Sequence, residues 1–130
     1  MALKQYGNTS YKFGFNDAEA SAIAATVGLT PQEVTISEEP EVENEAKDAF
    51  NRTVAYVIDT EGKKSMTLNG YVSNTALFDA AKGKTFTYGG KVYITRTAER
   101  GVKKDDFQTG TITAVNFAQI TSSGATTIAV

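Results

Sequence analysis

The chain has 130 residues, enough for one domain, with 41% hydrophobic and 22% charged side chains and a formal net charge of −2. It contains no cysteine, histidine or tryptophan. That excludes disulfides, thiolate nucleophiles, imidazole metal sites and Ser-His or Cys-His dyads.

The first residues, 1–6, lack an apolar signal core, and no apolar run approaches bilayer length, so a product that is neither secreted nor membrane-bound is expected. Tyr11-Lys12-Phe13-Gly14-Phe15 alternates like a strand, with Tyr11, Phe13 and Phe15 on one face. Asn16 then has the chemistry of a helix N-cap, with Glu19 placed for a capping box. The spacing predicts a helix over 18–27 with Ile23 and Val27 on its packing side, ended by Gly28 and followed by a break at Pro31. Val34 to Ser37 reads as a short strand.

From Thr53 the strand signals come at short intervals. Residues 53–59 put Val54, Tyr56 and Ile58 on one side, and residues 60–63 turn the chain. Residues 65–72 put Met66, Leu68 and Val72 on one side, with Gly70 in place of a fourth side chain. Residues 75–81 suit a turn or two of helix. Two β-prone runs, Thr85 to Tyr88 and Lys91 to Thr95, flank Gly89-Gly90, which predicts a tight hairpin with positive φ at both glycines. Residues 100–106 read as a charged loop, and about 110–119 as a Thr-rich strand. Short strands with helices too brief for crossovers predict a mainly β fold, an antiparallel β-sandwich or small β-barrel with one or two short helices. Residues 1–120 form its single domain, and 121–130 an uncharged C-terminal arm.

The charges are sorted along the chain. Residues 1–62 carry eleven acids and four bases, residues 63–130 four acids and nine bases, and the last 24 residues none. Glu39, Glu41, Glu43 and Glu45 share one parity, so a strand would line four carboxylates along a face. A straight row is a poor cation cage, which needs oxygens from several directions, and catalysis would need two of these carboxyls driven apart in pKa by burial. The row fits better as a solvated or partner-facing edge that also blocks unwanted strand pairing.

Basic residues from Lys82 to Lys104 surround the Gly-Gly hairpin among Phe86, Tyr88 and Tyr93. This invites a single-strand nucleic-acid reading, which the lack of an overall basic excess opposes. A sugar platform is weakened by the absence of tryptophan, and no glycine pattern matches a phosphate loop. No catalytic residue, metal site or cofactor is expected.

One stretch looks familiar. Leu68-Asn69-Gly70-Tyr71-Val72, then the hairpin from Gly83 to Thr95, then Thr111-Ile112-Thr113-Ala114-Val115-Asn116-Phe117 resembles small structural proteins of tailed bacteriophages and prophages. The resemblance covers residues 65–120. It implies a non-enzymatic virion subunit, made in the host cytoplasm and repeated in rings or on a lattice, with tail or neck as the expected place. A capsid decoration protein and a carbohydrate- or receptor-binding β module are the alternatives. In that reading copies meet head to tail, Glu39, Glu41, Glu43 and Glu45 facing Lys103 and Lys104, with Ile128 and Val130 of the tail adding apolar contact.

Overall fold

The computed structural model describes residues 2–129. Within them the elements run α1 (Asp17–Val27), β1 (Leu29–Glu39), β2 (Glu43–Lys47), β3 (Thr53–Ile58), β4 (Lys63–Val72), α2 (Thr75–Asp79), β5 (Thr85–Tyr88), β6 (Lys91–Gly101) and β7 (Thr109–Asn116). Five strands form an antiparallel sheet in the order β1-β4-β7-β6-β5, and β2 and β3 pair with each other outside it. The fold is thus mainly β, with a curled sheet and two short helices.

Side-chain alternation explains which face of the sheet is dry. In β4, Met66 and Leu68 point to the buried face, and their register partners Ala114 and Ile112 on β7 do the same. Thr35, Thr67, Thr113 and Thr97 lie side by side across β1, β4, β7 and β6 on the opposite face. Such β-branched polar residues suit a half-wet surface.

Helices cover the buried face. Asn16 caps α1 by accepting from the Glu19 N–H at 2.8 Å, and Gly28 ends it at φ +72°. Its buried residues, Ile23 and Val27, enter the core, and α1 packs against both β1 and β5, the two edges of the sheet. The helix therefore closes the open seam of the curl. Phe78 of α2 fills the space over Gly110, where a Cβ would come within 2.8 Å of its ring. Each large apolar side chain sealed this way contributes about 1.5–3 kcal/mol.

Three expectations need correcting. Residues 11–15 form no strand: Gly14 turns at φ +57°, no strand lies beside them, and Tyr11 and Phe13 are exposed. Pro31 does not break the chain but sits inside β1, on the outer edge of the sheet and beside a register shift, where a missing N–H costs no ladder bond. Residues 100 and 101, expected in a loop, complete β6. The Gly-Gly hairpin is as expected, with φ +59° at Gly89 and +77° at Gly90.

Two glycines separate backbone strain from steric approach. A Cβ on Gly90 would touch nothing within 4 Å, so Gly90→Ala carries only the left-handed penalty, about 1–2 kcal/mol. A Cβ on Gly70 would collide with the Thr30 carbonyl, so Gly70→Ala must push β1 off β4 and is expected to cost about 2–3 kcal/mol. Urea unfolding of the two variants measures the difference. Equal costs would contradict the close approach of β1 to Gly70.

Candidate functional site

The feature without a place in the core is the β2–β3 pair. β1 and β4 run together from Leu29 opposite Val72 to Glu39 opposite Lys63, and β2 and β3 pair again from Glu43 opposite Ile58. The ladder therefore leaves the sheet and continues as a two-stranded arm. Its six-residue strand spans roughly 20 Å.

Side chains at the neck and tip hold the arm's shape. At the neck the Val42 carbonyl accepts from the Asp59 N–H at 3.1 Å, and the Asp59 carboxylate accepts from the Glu41 N–H at 3.1 and 3.2 Å. At the tip Asp48 Oδ1 accepts from the N–H groups of Phe50 (2.9 Å) and Arg52 (3.0 Å). Its Oδ2 receives the Arg52 guanidinium at 2.9 Å, and that guanidinium also lies 5.2 Å from the centre of the Phe50 ring. Asn51 takes a left-handed φ of +63°, which asparagine tolerates well. The Arg52 N–H is the main reason that the Asp48 carboxyl sits below its ordinary pKa, with the Phe50 N–H and the Arg52 side chain adding to it.

Every residue of β2 and β3 is exposed. Val54 (64%), Tyr56 (53%) and Ile58 (47%) alternate onto one face as expected, but that face meets water instead of a core. Val57 (60%) lies on the other face with Asn44, Ala46 and Ala55. A two-stranded hairpin alone is marginally stable, and clustered exposed apolar side chains mark an interaction surface.

The acidic run is divided between neck and arm. Glu39, at the end of β1, pairs with Lys63 at 3.6 Å, and Glu45 with Lys47 at 3.6 Å while accepting from Thr53 Oγ1 at 3.0 Å. Glu43 accepts from the Tyr56 hydroxyl at 2.9 Å, which pushes that phenol's pKa upward. Glu41 and Glu43 have no ion-pair partner among the described residues. Glu39, Glu43 and Glu45 each find a partner within the chain, the Glu41 carboxylate does not, and among the described residues no cluster of three acids is arranged to hold a metal ion.

The other expected interface residues lie apart from these. Lys103 and Lys104 are exposed in the loop between β6 and β7. That loop adjoins the far end of β4, where Phe107 meets Tyr71 edge-on at 6.2 Å, whereas the arm leaves the near end. The tail starts back along its own sheet, the Ser123 carbonyl accepting from Thr85 Oγ1 at 3.1 Å. Beyond it Ile128 is exposed, and Val130 lies outside the described residues. Sequence reasoning did not single out the arm. Its signal was present in Val54, Tyr56, Val57 and Ile58 beside an acidic partner strand, a pairing that cannot bury both faces.

No family model matches the chain, and the searches of curated proteins and of solved structures also return no match. No helix among the described residues is long and apolar enough to cross a membrane.

The tip has a definite pH response. A carboxyl whose folded pKa is depressed contributes above its unfolded value and loses that contribution as pH falls through the folded value. NMR titration should show the Phe50 and Arg52 amide shifts moving together at a midpoint below that of an ordinary aspartate. In Asp48→Ala the tip should fray while β4 and β7 signals stay in place. Amide shifts that ignore this acid range would contradict the Asp48 anchor.

Proposed function

We propose that this chain is a non-enzymatic structural subunit which assembles with copies of itself through the β2–β3 arm. The observation that carries the reading is the arm itself: two paired strands hydrogen-bonded at neck and tip, exposed over their whole length, with four large apolar side chains in water. A lone domain gains nothing from such an extension, whereas a neighbour that covers it recovers the burial of each side chain. Electrostatics favours unlike surfaces, because residues 38–62 hold eight acids and two bases while residues 82–104 hold seven bases and one acid. Unlike patches meeting head to tail generate rings or stacked layers. The resemblance of residues 65–120 to tailed-phage structural proteins supports a virion setting, in the tail or neck.

Glu39 and Lys63 face each other across the ladder, so residues 40–62 can be replaced by Asn-Gly in a two-residue turn. That variant should stay folded and remain monomeric in sedimentation velocity at concentrations where the full chain associates. Equal association of the two chains would sink the assembly role of the arm.

A further inference from the structure

We infer that the arm of one subunit docks on the β5 margin of the next, where Lys82, Lys84 and Arg96 meet the acids of the arm. This rests on the self-assembly reading above and names the receiving surface.

The margin is built by the chain entering β5. The Gly83 N–H donates to the Thr95 carbonyl and the Thr95 N–H to the Lys84 carbonyl, both at 2.9 Å. These bonds hold residues 82–84 alongside Thr95, and β6 has a register shift at this point that leaves Arg96 without a partner on β7. Lys82 and Arg96 are exposed and Lys84 is half-buried. None of the three forms an ion pair among the described residues. On the arm and its neck, Glu41, Glu43, Asp59 and Glu61 likewise have no ion-pair partner, whereas Glu38, Glu39, Glu45 and Asp48 are each paired within the chain. Uncompensated acids on the arm thus stand against uncompensated cations on the margin.

The arm grows from β1 and β4, at one edge of the sheet, and the margin lies at the other edge, β5. The two surfaces are thus distinct patches, as head-to-tail contact between copies requires. No further strand pairs with β5, and the chain's own tail approaches it at Thr85 and Ser123, so the contact is made through the margin's cations. Placement on the margin also brings Val54, Tyr56 and Ile58 against protein, which supplies the apolar burial that charges alone do not give.

Charge reversal tests the contact. The arm variant carries Glu41→Lys, Glu43→Lys and Glu61→Lys, and the margin variant carries Lys82→Glu, Lys84→Glu and Arg96→Glu. Each alone should weaken self-association by about tenfold or more in sedimentation velocity, since like charges then face each other. An equimolar mixture of the two should associate again, because each supplies the surface that the other needs. A milder pair, Glu41→Gln with Glu43→Gln, preserves hydrogen bonding to Tyr56 and should weaken association and flatten its salt dependence. Far-ultraviolet circular dichroism checks that every variant is folded. Recovery in the mixture supports the contact. If folded reversal variants associate like the unaltered chain, or the mixture stays dissociated, the margin is not the receiving surface, and assembly through the arm still stands. Failure of the unaltered chain to associate at any concentration removes the assembly reading itself. Margin cations that hold a single-stranded oligonucleotide, with self-association unmoved by reversal, also overturn the proposal.

Discussion

The ladder between β1 and β4 is the interaction on which the rest depends. Along its inner part the half-buried Val34 faces the buried Leu68, and Leu29 at the start of β1 is fully buried, so one pair of strands lays down a wall of the core. Its outer end, Glu39 opposite Lys63, is the base from which the arm extends. Backbone approach is close at both ends: side chains on Gly70 and Gly62 would collide with the Thr30 and Glu39 carbonyls. The same ladder that seals the domain therefore aims the arm. A change that loosens β1 from β4 disturbs the core and the arm together.

The sheet manages its two edges differently. Charged residues and a proline line β1, which discourages indiscriminate pairing along that side. β5 is only four residues long, flanked by lysines, and shares α1 with β1 on the inner side. The arm has no such cover, and its exposed valines and isoleucine would be an aggregation hazard if they had no intended neighbour. Its acidic side chains limit that hazard, since like-charged arms repel one another.

Much of the fold could be read from local chemistry. The Asn16 cap, the Gly28 terminus, the Gly89-Gly90 turn and the inward parity of Met66 and Leu68 each depend on a few neighbouring residues, and each is found as expected. The misreadings share a different origin. Alternation says which side chains share a face, but not whether another layer covers it. Val54, Tyr56 and Ile58 alternate correctly and lie in water, while Tyr11, Phe13 and Phe15 alternate with no strand to pair with. The acidic row was visible as charge. Its division into glutamates paired within the chain and glutamates left without a cation depends on cross-strand register, which a lone sequence does not disclose.

The proposed assembly makes the arm an unfinished surface that a second copy completes. Hydrogen exchange followed at low and high protein concentration tests this most directly. In the dilute monomer the amides of β2 and β3 should exchange fast while those of β4 and β7 stay protected, because a solvated two-stranded arm opens without disturbing the core. As the protein associates, protection should spread to β2 and β3. Arm amides that are as slow as the core in the monomer, or that remain fast in the assembled protein, would contradict the account.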